Sequence, residues 1–302
     1  MSVRNFSILI TTYNRRKELK TTLNSLQVFP IQVLKIIICD DGSSDGTSEF
    51  IRKEYPEIKL LVNPVNKGLI YSRNLLMNQV ETPFAISLDD DANFFSLKPL
   101  ETILVYFKEN PKCGVIAFRI FWGLENPEFI SMKEKPQIVK SFVGCGHVWR
   151  MEAWRNIPNY PEWYFFYGEE EFASYQLFKN GWQVHYVPQV LVHHRVKVSN
   201  RKFQKDYGVR LRRSLRAGWY NYFLFLPWTQ IPRRFLYTLF MQLKLKVFKG
   251  DFRALFAIFQ ALWDLITHLP KLIAKSNRLS IREFNVFQNL ENTKIYLKSD
   301  ER

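Results

Sequence analysis

Three adjacent acids, Asp89-Asp90-Asp91, follow an apolar run and could do chemistry. The run, residues 84–88, has the composition of a buried strand, so the acids stand at a strand's carboxyl end. Two carboxylates with one residue between them can bind one hard cation, and Mg²⁺ and Mn²⁺ prefer such oxygen ligands. The triplet could instead cap a helix predicted to start near Leu97. On these residues alone both interpretations stay open.

A second acidic pair, Asp40-Asp41, ends another apolar run and is followed by Gly42 and Ser43. Aspartate and glycine build turns, and Ser43 or Asp45 can cap the following helix. A turn does not explain why two mutually repelling carboxylates stand at a strand end. A carboxylate there can accept hydrogen bonds from a nucleotide base or from ribose hydroxyls.

Glu169-Glu170-Glu171 open a predicted helix at residues 169–180. Acids in a first helical turn stabilise the helix macrodipole, which is the simpler interpretation. An ionised carboxylate can also act as a general base that takes the proton of an attacking alcohol. Because neighbouring carboxylates repel, each raises the pKa of the others.

Two histidines, His193-His194, end a strand-like run. They could be ordinary strand-end residues, or one imidazole could join Asp91 at a metal. A histidine beside aspartate ligands would favour Mn²⁺ over Mg²⁺. Elsewhere, Tyr13 could stack on a base, and Arg73 could face a phosphate or the solvent.

Strand-like and helix-like segments alternate along the first 120 residues, with strands predicted at residues 6–10, 33–39, 58–62 and 84–88. Continuous apolar strands separated by helices imply a mostly parallel sheet that is covered on both faces. In such sheets ligands bind beyond the carboxyl ends of the strands. The polar motifs are therefore expected at one edge. Further strands are predicted at residues 183–187 and 190–193.

The 302 residues include 43 Lys and Arg against 28 Asp and Glu, a net charge of +15. Residues 1–200 carry 23 basic and 21 acidic residues, and residues 201–302 carry 20 and 7, so the excess lies in the last third. A content of 47% hydrophobic residues excludes a mainly disordered chain. The three cysteines fit a reducing compartment, and the first residues do not resemble a secretory signal.

The basic last third suggests an anionic partner and holds two apolar features with different expected roles. A cluster of aromatic residues next to residues 210–216 would suit a lipid interface: Trp219, Tyr220, Tyr222, Phe223, Phe225 and Trp228. A helical apolar stripe is expected to pack against the rest of the protein: Phe252, Leu255, Phe256, Phe259, Leu262, Trp263 and Ile266. Nucleic acid is not expected as a partner, because no nucleic-acid motif is present.

The order of the motifs is specific. Thr-Thr-Tyr-Asn-Arg, Asp-Asp-Gly-Ser-x-Asp, Asn-x-Gly-x-x-x-x-Arg-Asn, Asp-x-Asp and an acidic helix start follow one another. This series resembles family 2 glycosyltransferases of the GT-A fold, and within them the bacterial rhamnosyltransferase-like group. The resemblance covers residues 6 to about 195. It implies an α/β, Rossmann-like GT-A nucleotide-sugar-binding domain in residues 1–200. Residues 201–302 would form a C-terminal amphipathic helical region that associates with a membrane.

The resemblance also implies roles for individual residues. The expected nucleotide-sugar-binding residues are Thr11, Tyr13, Asp41 at the base, Arg73, Asp89, Asp90 and Gly146, the last in a small-residue loop with Gly144 and Cys145. The expected metal ligands for Mn²⁺ or Mg²⁺ are Asp89, Asp91 and His194. The expected catalytic pair is Glu169 and Glu170, with Glu170 as the base.

The implied function is inverting, metal-dependent transfer of a hexosyl or deoxyhexosyl group. The donor would be a UDP- or dTDP-sugar, and the acceptor a glycan or a lipid-linked glycan of the cell envelope. The expected location is cytoplasmic, peripheral at the inner face of the cell membrane, on an anionic surface. Two alternatives remain: a non-catalytic adaptor that binds membrane or nucleic acid through its basic third, and a nucleotidyltransferase that releases pyrophosphate.

Overall fold

The computed structural model describes residues 5–29, 34–127, 134–196 and 204–295. Its strands are β1 (Phe6–Thr12), β2 (Leu34–Asp40), β3 (Lys59–Val62), β4 (Phe84–Asp89), β5 (Ala92–Phe94), β6 (Cys113–Trp122), β7 (Gln137–Val139), β8 (Gly146–Arg150) and β9 (Gln183–His194). Its α-helices are α1 (Arg16–Leu26), α2 (Thr47–Glu54), α3 (Leu69–Met77), α4 (Pro99–Glu109), α5 (Met151–Arg155), α6 (Glu169–Lys179), α7 (Tyr207–Phe225), α8 (Ile231–Leu245), α9 (Phe252–Ala274) and α10 (Ile281–Gln288).

The strands form one mixed sheet, with the order β3-β2-β1-β4-β8-β6-β9-β5 and β7 paired to β9 among the described residues. The first half, β3-β2-β1-β4, is parallel, as the alternating pattern predicts. The second half brings in antiparallel pairs, because β8 runs against both β4 and β6, and β5 runs against β9. The predicted α/β fold class is confirmed.

The two strands predicted at residues 183–187 and 190–193 are one strand, β9. It pairs in parallel with β6, and the register shifts between the pairs Phe118–Val187 and Arg119–Leu191. Pro188, which cannot donate to the sheet, falls in this irregular stretch, so the sequence pattern looks like a break. The continuous strand carries His194 to the edge where β4 ends.

Helices cover both faces of the sheet, and two hydrophobic clusters result. Alternate residues of β1 point into different clusters: Ile8 and Ile10 lie with α1, α2 and α4, whereas Leu9 lies with α3, α6 and the C-terminal helices. This alternation follows from the period of two along a strand. Largely buried apolar strands, β1, β2 and β4, therefore anchor the polar loops that follow them.

The C-terminal helices are part of the second hydrophobic cluster. Trp219, Tyr220 and Phe225 on α7 are no more than 1% exposed and pack among residues of α6, α9 and α10. The expectation that these three rings contact lipid is wrong, because they fill the core. The predicted boundary at residue 200 lies outside the described residues.

Helix α9 presents to solvent the face that its sequence pattern predicts to be buried. Its large residues Phe252, Phe256, Phe259, Trp263 and Ile266 are between 61% and 74% exposed. We call these five residues the outer face of α9. The expected packing of this stripe is therefore wrong for most of its members.

The opposite face of α9 packs on α7 and is made largely of small residues. Ala254, Ala257, Ile258 and Ala261 are at most 2% exposed and repeat with the same helical spacing, two residues out of phase with the outer face. Alanine lets two helices approach closely, so this side, and not the larger rings, makes the contact. By length and composition alone, α9 is apolar enough to cross a membrane. Within its most apolar stretch of 18 residues, 33% is buried inside the protein.

Candidate active site

The carboxyl edge of the sheet brings the acidic motifs together. Strand β4 ends at Asp89 and β9 ends at His194. The short strand β5 pairs antiparallel with β9, so that Ala92 lies opposite His194. The turn between β4 and β5, which holds Asp90 and Asp91, is thereby fixed beside the histidine.

Asp89, Asp91 and His194 form the candidate metal site. Each offers one ligand atom, and these atoms all lie within 4.8 Å of one another. His194 Nε2 is 2.9 Å from an oxygen of Asp91 and 3.9 Å from an oxygen of Asp89. Two carboxylates and one imidazole that lie this close together, two of them buried and one half-buried, fit a divalent cation such as Mn²⁺.

Charge interactions hold the ligand atoms of His194 and Asp91 in place. The pKa of His194 is raised to about 11, against the effect of burial, by Cys145 and by Asp91. Burial opposes ionisation of Asp91, but the hydrogen bond from His194 prevails and lowers the pKa of this carboxyl. A cation needs Asp91 ionised and His194 neutral, so its binding would displace the proton from His194.

Asp90, the middle acid of the triplet, is held by β1 and its loop. Thr12 Oγ1 donates to one carboxylate oxygen at 2.8 Å, and Arg15 Nε lies 3.0 Å from the other. Arg15 also reaches Asp91 with its Nη2 at 2.5 Å. Burial raises the pKa of Asp90 to about 8, with Arg15 opposing it. Arg15 thus belongs to the site, although no role is predicted for it from the sequence. The available signal is its place as the last residue of the Thr-Thr-Tyr-Asn-Arg motif.

Arg73, on α3, connects the candidate metal site to the acidic start of α6. Its guanidinium donates to Glu169 Oε1 at 2.7 Å, to Asp89 Oδ1 at 3.1 Å and to the carbonyl of Gly144 at 2.9 Å. The residue is only 5% exposed. A buried cation between two carboxylates fixes their relative positions, because removing it would leave two uncompensated charges.

The acids of α6 differ in surroundings. Glu169 is buried against Arg73, whereas the side chain of Glu170 is 24% exposed and lies 3.9 Å from Arg73. Burial, together with the nearby charge of Glu169, raises the pKa of Glu170 to about 8. A partly accessible carboxyl with a pKa near neutrality is suited to general base catalysis. Glu169 is better placed to position Arg73.

The loop before β8 lies against Glu170. A Cβ at Gly144 would overlap Glu170 Oε1 and come within 2.8 Å of Arg73 Nη1, so a larger residue would displace the ends of these two side chains. The expected donor residue Gly146 faces the other way, since a Cβ there would meet Ile120 at 2.9 Å in the core. Within this loop, Gly144 is the residue at the acidic cluster.

The expected nucleoside residues lie at the ends of β1 and β2. Asp41 is buried and already accepts three hydrogen bonds, from Asn63 Nδ2 at 2.7 Å and from the backbone N–H groups of Lys67 and Gly68 at 2.8 and 2.9 Å. It therefore orders the loop after β3. Thr11 is half-buried, and Tyr13 is exposed at the same edge. Their contacts with a nucleotide stay predictions.

Helix α7 supports the acidic start of α6 and the segment before it. Asn221 Nδ2 donates to the carbonyl of Gly168 at 3.0 Å and to Glu171 at 3.3 Å. Arg216 donates to the carbonyl of Tyr164. These residues follow the acids by about fifty positions, and no local motif marks them. Only the packing of α7 reveals their role.

Comparison with known proteins agrees with this geometry. Residues 7–171 match the model of the family described as glycosyl transferase family 2. The chain belongs to that family. The predicted family is thereby confirmed, whereas the rhamnosyltransferase-like group stays a prediction.

One relative of this family 2 chain matches about half of its length. The poly-β-1,6-N-acetyl-D-glucosamine synthase of Staphylococcus epidermidis is 31% identical over 151 residues, which are 47% of this chain and 34% of that protein. The chain thus spans about a third of the length of this relative.

Two solved structures share the fold. TarS of Staphylococcus aureus in complex with UDP has a TM-score of 0.52 at 19% identity, covering 70% of this chain and 65% of that one. The mannosyltransferase PcManGT of Pyrobaculum calidifontis, with GDP-Man and Mn²⁺, has a TM-score of 0.55 at 13% identity, covering 94% and 78%. At these identities the likeness shows the GT-A fold of this family 2 chain.

Proposed function

We propose that this family 2 chain is an inverting, metal-dependent glycosyltransferase that moves a sugar from a nucleoside diphosphate sugar to an acceptor hydroxyl. One observation carries the proposal. The donor atoms of Asp89, Asp91 and His194 converge at the carboxyl edge, and Arg73 links them to Glu169 beside Glu170. This arrangement supports a cation site and a general base that are linked through Arg73.

Asp89, Asp91 and His194 would hold Mn²⁺ or Mg²⁺. Such a cation acts as a Lewis acid on diphosphate oxygens and stabilises the charge of the departing nucleoside diphosphate. Thr11, Tyr13 and Asp41 lie at the ends of β1 and β2, where the nucleoside would bind.

Glu170 would take the proton of the acceptor hydroxyl. The acceptor oxygen forms its bond to the anomeric carbon while the bond from that carbon to the diphosphate oxygen breaks. Attack from the face opposite the leaving group inverts the anomeric centre, so no covalent intermediate is required. Glu169 and Gly144 act as positioning residues, since one holds Arg73 and the other leaves room for the base.

A UDP- or dTDP-sugar carrying a hexosyl or deoxyhexosyl group is the proposed donor. The UDP bound to TarS supports a pyrimidine nucleotide, and the GDP-Man bound to PcManGT makes GDP-sugars the necessary comparison. A glycan or lipid-linked acceptor of the cell envelope is proposed because relatives bear the names of a poly-N-acetylglucosamine synthase and a teichoic acid polymerase. A nucleic acid acceptor is not proposed.

The test is an assay of UDP-, dTDP- and GDP-sugars with Mn²⁺, with Mg²⁺ and with a chelator. We expect metal-dependent release of a nucleoside diphosphate. Release of pyrophosphate would instead identify a nucleotidyltransferase. Binding of donors without any turnover, with a range of glycan and lipid-linked acceptors, would favour an adaptor.

A further inference from the structure

The outer face of α9 is an unusual surface for the described part of this protein. Large aromatic rings face solvent along four turns of one helix, whereas alanines of the same helix fill the contact with α7. The neighbouring helix α8 repeats the arrangement, since Leu236, Tyr237 and Phe240 are between 54% and 64% exposed. Exposed apolar side chains that recur along two successive helices indicate a binding surface.

The charge around this surface is strongly positive. Residues 231–275 contain eight Lys and Arg but two acids, Asp251 and Asp264. Both acids are already engaged, Asp251 by Tyr207 and by the backbone of Ala254, and Asp264 by Arg212. The cations of this stretch, among them the exposed Lys244, Lys249 and Lys275, therefore outnumber its acids.

We propose that the outer face of α9, together with the exposed face of α8, docks the protein on an anionic lipid surface. Exposed rings would enter the boundary between headgroups and acyl chains, while the surrounding lysines and arginines contact anionic headgroups. The inference goes beyond glycosyl transfer and does not depend on it.

The helix lies along the lipid surface and does not cross it. Arg212 binds both carboxylate oxygens of Asp264, at 2.7 and 2.5 Å, and this acid is on the face of α9 that packs on α7. Insertion across a bilayer would break this pair and place a charge in hydrocarbon, which is costly. The in-plane orientation keeps the pair and immerses the rings alone.

A second copy of the chain is a poorer occupant than lipid. A two-fold contact through this face would bring the same patch of each subunit together. Exposed cations such as Lys244, Lys249 and Lys275 would then face their own copies across the interface. An anionic membrane neutralises them instead.

The experiment is co-sedimentation of the full chain with vesicles of phosphatidylglycerol and phosphatidylcholine in equal amounts, at about 0.1 M salt, where charges are moderately screened. We expect binding to these vesicles, weak binding to pure phosphatidylcholine, and release by a high-salt wash. No binding to the anionic vesicles would overturn the proposal. Retention through the wash would also overturn it, because it would indicate an inserted span.

Two sets of variants locate the surface. Phe256→Ser with Trp263→Ser should weaken vesicle partition at least about tenfold, because two rings no longer enter the interface. Lys244→Gln with Lys249→Gln should weaken it about twenty-five-fold, at about fivefold for each lost cation. Leu97→Ser with Leu124→Ser removes exposed apolar side chains elsewhere and should bind like the unmodified chain.

Three results would contradict the proposal that lipid binds this surface. Unchanged binding by the aromatic variant, or equal loss in the Leu97 and Leu124 control, would refute this surface. A dimer in sedimentation analysis that the aromatic variant dissociates would assign the face to a second copy. Release of nucleoside diphosphate from soluble substrates is measured in parallel, so failure of membrane docking is distinguishable from failure of glycosyl transfer.

Discussion

The carboxyl edge of the sheet and the outer face of α9 differ in what they hide from water. At the sheet edge, Arg73, Asp91 and Glu169 are charged groups that are at most 5% exposed. On α9, Phe256 and Trp263 are large apolar rings that are each 66% exposed. Burying a charged group and exposing a large apolar ring are both unfavourable for the stability of the folded protein. Each therefore indicates a surface or site that is kept for a function.

The two regions also differ in how they are stabilised. Charges at the sheet edge compensate one another through ion pairs that extend from His194 to Glu169. Rings on α9 have no such compensation within the described chain. The comparison therefore separates a site whose charges are paired within the protein from a surface whose rings are exposed to solvent.

The largest effect is expected at the base. Glu170→Gln removes the proton acceptor but keeps the shape, so turnover should fall about 10²–10⁴-fold while the fold persists. Steady-state release of nucleoside diphosphate measures it. Glu171→Gln, on the same turn but exposed, is the matched control and should stay active. A folded Glu170→Gln variant with normal transfer would remove this residue from the mechanism.

A pair of aromatic substitutions compares the helices directly. Phe225→Ala empties a core position on α7 and should lower the free energy of unfolding by about 3–5 kcal/mol. Phe256→Ser removes an exposed ring and should change this free energy by about 0.5 kcal/mol or less. Urea denaturation measures both. Equal costs would mean that the outer face of α9 contributes to stability after all.

Metal binding tests the sheet edge. Asp91→Asn removes a ligand charge and should weaken Mn²⁺ binding at least about tenfold, since changes even to outer partners of a metal site have such effects. Isothermal titration calorimetry measures the affinity. Asp45→Asn, an exposed acid near the same edge, is the control. If the two variants bind Mn²⁺ alike, the cation site lies elsewhere.

The pH profile tests the surroundings of Glu170. Because the base acts when deprotonated and its pKa is raised to about 8, turnover should rise with pH. Between pH 7 and pH 9 the deprotonated fraction grows about tenfold, and kcat/KM with Mg²⁺ should follow. A profile that is flat over this interval would show that the group titrates lower or is not the base.

The smallest effect concerns the scaffold that both regions share. Gly218 lies within α7, and a Cβ there would meet open space. Gly218→Ala should raise the free energy of unfolding by about 0.5–1 kcal/mol, because alanine favours the helix. Turnover and vesicle binding should not change. A loss of either would show that α7 must flex for that function.

Much of the catalytic half is predictable because its signals are local. Apolar strands followed by Asp41, Asp89 and His194 mark the carboxyl edge, since parallel strands must end together. The roles of Gly144 and Asn221 are not predictable, because both depend on what lies opposite in space. A turn glycine and a helical asparagine carry no sign of their partners.

The family and the α/β fold were determined by the sequence, through motif order and hydrophobic period, and so was the position of the acidic motifs at strand ends. Which face of α9 meets water was decided by the tertiary structure alone. Two stripes with the same helical spacing run along that helix, one of large apolar residues and one made largely of alanines. The hydrophobic period alone is compatible with burial of either stripe. Alanines on one of them allow α7 to approach closely, and this contact leaves the larger rings outside.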